Sequence, residues 1–244
     1  MTRVTLVTGG ARRVGAVIAR ALAARGDRVA IHHHASADEA DALVAELPGS
    51  RAFTADLSDR AAARALVDEV IAWGGGLDVL VANASWFARV PLLGGDDGTW
   101  DAAWDLSLAV NLVAPAVMAR HAAHALQVRG GVVVTMLDIA TRQAWPGFPA
   151  YGAAKAGLEW LTRTMALALA PRARAVGVAP GFALPPVGAS EADVARLVGQ
   201  IPLARPGSPE DVARAVLYAV EAPFVTGTVL TVDGGRSAAT GEGA

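Results

Sequence analysis

Val4-Thr5-Leu6-Val7-Thr8-Gly9-Gly10-Ala11-Arg12-Arg13-Val14-Gly15 reads as an apolar β-branched run, a glycine-rich turn and the opening of a helix. This stretch decides the fold class, because the same alternation continues along the chain. Strands are predicted at Val4–Thr8, Arg28–His32, Arg51–Thr54, Asp78–Ala82, Gly131–Met136, Ala175–Ala179 and Thr228–Val232. Helices are predicted near Val14–Arg25, Ala37–Glu46, Arg60–Trp73, Trp100–Leu126, Ala153–Leu169 and Pro209–Ala219. The last opens with Ser208-Pro209-Glu210-Asp211, an N-cap followed by proline at the first helical position and early acids. Apolar strands alternating with helices argue for a parallel sheet covered on both faces. Right-handed crossovers make that α/β sheet doubly wound, with its crevice beyond the carboxyl ends of the strands. No Pro/Ser/Gly linker divides the chain, so residues 1–237 are expected to form one domain and residues 238–244 a flexible tail. Phe182–Gln200, which contains Pro185-Pro186 and Gly188, reads as a loop with a short helix.

Bulk properties narrow the function classes. A chain of 244 residues, 53% hydrophobic, can bury a large core. Its formal net charge of −2 offers no basic field for nucleic acid. Without cysteine there is no disulfide, thiol nucleophile or thiolate metal site. The first residues lack a signal-peptide layout, and charges, Gly or Pro interrupt the apolar stretches before membrane-spanning length. A soluble cytoplasmic protein without a membrane partner is therefore expected. Only one of the 21 basic residues is lysine, Lys155, which points to a role that arginine cannot fill.

Glycines in the Thr8–Gly15 turn let the backbone approach a diphosphate, whose charge is favoured by the following helix N-terminus. Arg13 replaces the middle glycine of such a motif, and its guanidinium can reach phosphate oxygens. The second strand ends His32-His33-His34-Ala35-Ser36, with no acid before Asp38 to bind a ribose diol. With Arg12, Arg13 and Ser36 nearby, that favours NADP(H) over NAD. The adjacent histidines point to alternate faces, which speaks against their converging on a metal.

Tyr151-Gly152-Ala153-Ala154-Lys155 puts a phenol and an ammonium on one helical face. A nearby ammonium is expected to lower the phenol pKa and fit it to proton transfer.

With these residues in view, the chain resembles the short-chain dehydrogenases/reductases over nearly its whole length. The resemblance rests on the glycine turn, Asp56-Leu57, Asn83-Ala84, Asn111, Tyr151/Lys155 and Pro180-Gly181. It implies a Rossmann-like fold, with the cofactor held by Gly9, Arg12, Arg13, Val14, His33, Ser36, Leu57, Ala84, Ser85, Tyr151, Lys155 and Pro180-Gly181. It also implies adenine contact by Asp56, cofactor contact by Asn83, and a catalytic-site role, structural or relay, for Asn111. A homotetramer is implied too, with the helices near Trp100–Leu126 and Ala153–Leu169 packing across subunits.

The family's usual serine, thirteen residues before the tyrosine, is Asp138 here. A carboxylate there would repel a developing alkoxide. A carboxylic acid with a raised pKa could instead donate a proton, through Tyr151, to a ring nitrogen. That substitution resembles the pteridine reductases and dihydromonapterin reductases, as do Arg13 and Asn83-Ala84-Ser85-Trp86-Phe87. The likeness implies pterin contacts from Arg13, Ser85, Phe87, Asp138, Phe148 and Tyr151, with Trp145 in the same cleft. Phe87 would stack on the bicycle; the plainer alternative is a core residue. Their basic residue at the 2′-phosphate would fall at Ala35 and is missing. Also absent are the usual Asn within Ala175-Val176-Gly177-Val178 and the hydroxyl residue after Pro180-Gly181, where Ala183 and Leu184 stand. The expected activity is NADPH-dependent reduction of a small pterin-like substrate. A general carbonyl or 3-oxoacyl reductase, or a catalytically silent NADP(H)-binding protein, are the alternatives.

Overall fold

A computed structural model describes residues 2–184 and 190–239. In chain order the elements are β1 (Val4–Val7), α1 (Arg13–Ala23), β2 (Arg28–His33), α2 (Ala37–Glu46), β3 (Arg51–Thr54) and α3 (Arg60–Gly74). Next come β4 (Val79–Ala82), α4 (Asp97–Leu108), a π-helical turn at Ala109–Val113, α5 (Ala114–Arg129) and β5 (Val132–Met136). A 3₁₀ turn at Ile139–Thr141 leads to α6 (Pro149–Leu169), β6 (Arg174–Pro180), α7 (Glu191–Val198), α8 (Pro209–Glu221) and β7 (Val229–Val232).

All strand pairs are parallel, in the order β3-β2-β1-β4-β5-β6-β7. The order reverses between β1 and β4, so their carboxyl ends open a crevice there. Two core clusters cover the two sheet faces. One gathers Leu66, Val70, Leu80, Met118 and Leu126 beneath α3 and α5. The other gathers Ile18, Leu22, Val29, Val81 and Val216 beneath α1 and α8. Strands buried on both faces explain their unbroken Val/Leu/Ala runs.

The helix read at Trp100–Leu126 is longer and interrupted. Asp96 caps it by accepting from Thr99 N, and the π-turn at Ala109–Val113 resets its phase before Pro115. Pro115 stands in the first residues of α5, directly after that π-turn. The result is a helical run of 33 residues, Asp97–Arg129, long and apolar enough by length and composition to cross a membrane. That corrects the expectation that every apolar stretch stops short of such length. In the fold, α5 packs on α3 and α4 on α6. Proline at the start of α6 moves that helix back from Ala153 to Pro149, so Tyr151 lies in its first turn. The predicted short helix within Phe182–Gln200 is α7, while Pro185, Pro186 and Gly188 lie outside the described residues. Of the expected tail, Ala238 and Ala239 turn back through hydrogen bonds to Gly235 O, and residues 240–244 lie outside the described residues.

Candidate active site

The glycine turn is fastened from below. Thr8 Oγ1 accepts from Asn83 N and Ala84 N at 2.9 Å, and Asn83 Nδ2 donates to Thr8 O at 2.8 Å and to Gly9 O at 3.2 Å. Asn83 Nδ2 thus holds the glycine turn in place, and Asn83 itself lines the cavity over it. A Cβ on Gly15 would lie 2.1 Å from Gly9 O, so helix and turn can approach this closely only with glycine there. Arg13 occupies the middle-glycine position with φ of 53°, a left-handed conformation that costs a side-chain-bearing residue about 1–2 kcal/mol. Arg12 at the N-cap makes no side-chain cap, and the first turn of α1 has no acid. Its free N–H groups therefore favour an anion.

The three histidines diverge. His32 Nδ1 accepts from Gly9 N at 3.0 Å while its Nε2–H donates to Ala55 O at 3.1 Å, which selects one neutral tautomer. Burial pulls its pKa down to about 4, so it stays neutral and clamps the turn to β2. His33 Nε2 pairs with Thr54 Oγ1 at 2.9 Å, and its buried Nδ1 has no partner among the described residues. His34 is exposed.

A cavity of about 490 Å³ opens over this turn. Its wall contains eleven of the sequence-predicted cofactor residues: Gly9, Arg12, Arg13, Val14, His33, Ser36, Asp56, Leu57, Asn83, Ala84 and Ser85. The same wall also holds Ala11, Gly15, His32, His34, Ala35 and Trp86 from the stretches quoted above, and Val110, which no motif pointed to. Tyr151, Lys155 and Pro180-Gly181 stand outside it. Asp56 is engaged locally, its Oδ1 accepting from Ser58 N and Oγ, which holds its carboxyl below the usual range. The uncapped start of α1 and the unpartnered His33 nitrogen suit an anionic nucleotide.

Asn111 is fully buried on the π-turn. Its Oδ1 accepts from Ser85 Oγ and Trp86 N at 2.9 Å, and its Nδ2 donates to Trp86 O at 2.8 Å and Ser107 Oγ at 3.2 Å. Both ends of the amide are used, so Asn111 fixes the Ser85-Trp86 segment above the crevice. Ser107, one helical turn earlier, is a further support invisible to motif reading.

Beyond β5, Asp138 Oδ1 accepts from Ala140 N at 2.8 Å and Oδ2 accepts from the Tyr151 hydroxyl at 2.9 Å. Burial raises the Asp138 pKa, against those bonds and the charges of Lys155 and Arg236. Lys155 Nζ donates to Met136 O at 2.7 Å and lies 5.6 Å from the Tyr151 ring centroid. Burial lowers its pKa to about 8, opposed by Asp138. Tyr151 contradicts the sequence expectation: its pKa is raised well above the ordinary phenol value, first by burial and then by the Asp138 charge. One N–H of the lysine ammonium is held by a carbonyl, and the charge bonded to the phenol is the carboxylate.

Phe87 is 54% exposed, so it is not a core residue. It stacks on Phe148 at 4.5 Å and 8°, and meets the Tyr151 ring edge-on at 4.8 Å. Trp145 packs edge-on against Phe148 at 6.2 Å. Two rings 4.5 Å apart leave no space for a third between them, so a planar ligand would use the opposite face of Phe87 or displace Phe148. Gly181 N donates to Val232 O at 2.9 Å, tying the Pro180-Gly181 corner to β7.

The family model described as enoyl-(acyl carrier protein) reductase matches residues 9–237. The chain is 36% identical over 238 residues to the granaticin polyketide synthase putative ketoacyl reductase 2 of Streptomyces violaceoruber, covering 95% of each. It is 33% identical over 246 residues to a 3-oxoacyl-(acyl-carrier-protein) reductase of Staphylococcus aureus, covering 96% of this chain and 98% of the relative. Pteridine reductase 1 of Leishmania tarentolae is 37% identical over 278 residues, covering 96% of each.

Proposed function

The chain belongs to the short-chain dehydrogenase/reductase family of oxidoreductases, and from that premise we propose that it reduces a C=N bond of a pteridine with NADPH. The observation that carries this reading is the Asp138–Tyr151 hydrogen bond of 2.9 Å, at a carboxyl whose pKa burial has raised. An ionised carboxylate beside a forming alkoxide works against carbonyl reduction. A ring nitrogen that gains electrons needs a proton, and a buried acid supplies one.

When bound, NADPH supplies the hydride. Gly9, Arg12, Arg13, Val14, Ser36, Leu57 and Ala84 would hold it, and His33 Nδ1 would gain a partner at the 2′-phosphate. The chain's own residues manage the proton. With Asp138 protonated, its O–H donates to the Tyr151 oxygen, and the Tyr151 hydroxyl turns to the ring nitrogen. Transfer from Tyr151 is then matched by transfer from Asp138, so no phenolate persists beside a carboxylate. Lys155 adds positive charge to this pair while anchored on Met136 O. Arg13, Ser85, Phe87 and Phe148 line the approach of the ring.

A second reading is reduction of a 3-oxoacyl or other carbonyl, favoured by the names of two of the relatives above. NADPH oxidation measured with dihydrobiopterin, dihydromonapterin, dihydrofolate and simple 3-oxo esters decides between them. Turnover of a pteridine above the esters is expected; turnover of esters alone overturns the pteridine reading. The exposed Trp160 and Leu167 of α6 support self-association, with a homotetramer as the expected mass by light scattering.

A further inference from the structure

The turn after β7 brings a cation to the same sheet edge as Asp138. A Cβ on Gly181 would lie 2.7 Å from Asp233 Cβ and 3.6 Å from Ile139 Cδ1, so this turn and the residue after Asp138 pack on one corner. Asp233 fixes the turn, its carboxylate accepting from Gly235 N at 2.9 Å and Ser237 N at 2.6 Å. Gln143 Nε2 donates to Arg236 O at 3.2 Å, binding the turn to the segment that follows Asp138. Arg236 is half-buried, and its Nη2 donates to Gln200 Oε1 at 2.7 Å. It forms no ion pair among the described residues, unlike Arg205 and Arg214, which both pair with Asp211. Its charge nevertheless reaches Asp138. A guanidinium has five donors in a planar fork, and only one is committed to a side chain here.

We infer that Arg236 binds a carboxylate on the part of the substrate that extends from the reduced ring, so that acids are preferred over neutral analogues. The inference rests on the pteridine reading for the ring, though not for the charge. A single arginine suits a monoanion; the neighbouring Asp233 carboxylate disfavours a phosphate dianion. The rival role is a purely structural clasp to Gln200, which would be indifferent to ligand charge.

The test is tryptophan fluorescence titration of the NADP⁺-loaded full chain with dihydrofolate, which carries a glutamate, and with dihydrobiopterin, which has a neutral side chain. Arg236→Gln should weaken dihydrofolate binding about tenfold and leave dihydrobiopterin within about twofold. Arg236→Lys should recover part of the loss, because the charge returns without the fork. Equal losses for both ligands, or none for dihydrofolate, overturn the inference. If neither pteridine binds the wild-type protein, the pteridine reading fails, and the charge is tested separately. NADPH oxidation with a 3-oxo acid and its methyl ester then serves: Arg236→Gln should lower kcat/KM about tenfold for the acid alone. Equal change for acid and ester, or no turnover of the acid, sinks it.

Discussion

The Tyr151 hydroxyl donates to Asp138 Oδ2 at 2.9 Å, joining the first turn of α6 to the segment leaving β5. The phenol therefore faces a carboxylate, while Lys155 is turned to the Met136 carbonyl. Acid–base behaviour at this site follows from that arrangement rather than from a tyrosine–lysine pair alone.

The rate should fall with rising pH in two stages. Asp138 has a raised pKa, so its acid form is depleted as pH rises through that raised value. Lys155 then loses its proton near pH 8, since its pKa is lowered to about 8. A kcat–pH profile should show both descents, and Asp138→Asn should remove the first. A wild-type rate that climbs between pH 5 and 8 contradicts this.

Lys155 should cost stability at neutral pH. Its folded pKa of about 8 lies below the ordinary 10.5, so between those values the unfolded chain binds more protons and stability rises with pH. The drop corresponds to about 3 kcal/mol. Urea denaturation should show wild type gaining about 2–3 kcal/mol relative to Lys155→Met from pH 7 to pH 10. A gap that stays constant, or moves the other way, rules out a buried ammonium. Activity of Lys155→Met should be lost throughout.

Arg13→Gly should separate stability from cofactor affinity. Glycine accepts φ of 53° without a side-chain clash, so the variant should gain about 1 kcal/mol and roughly 2–4 °C in Tm. It should bind NADPH about tenfold more weakly, because a phosphate-reaching cation is removed. Calorimetry and NADPH fluorescence titration check the two halves; tighter binding refutes the phosphate contact.

Much of this fold was legible in the chain. Arg51–Thr54 and Ala37–Glu46 emerge with the predicted bounds, and the other strands shift by one residue at an end or at both. Long apolar β-branched runs between helical patterns leave little ambiguity in period. The cavity wall was legible for the same reason: turn, strand ends and motif residues follow one another in sequence. Three things were hidden. The π-turn that carries Asn111 has no signature residue in the sequence. The aim of Lys155 depends on where the Met136 carbonyl points, which spacing along α6 does not contain. His32 reads as one of three alike, yet only it reaches both Gly9 and Ala55. Arg236 was findable, because β7 ends at the edge where a doubly wound sheet binds its ligands.

The most direct measurement is NADPH oxidation by wild type and Asp138→Ser, each with dihydrobiopterin and with a simple 3-oxo ester. Loss of the acid should lower pteridine kcat/KM by about a hundredfold or more, the scale of general acid catalysis. A hydroxyl in its place should raise ester reduction, because the repulsion of the alkoxide is gone. Pteridine turnover that survives Asp138→Ser unchanged, or ester turnover that falls with it, would contradict a proton-donating Asp138.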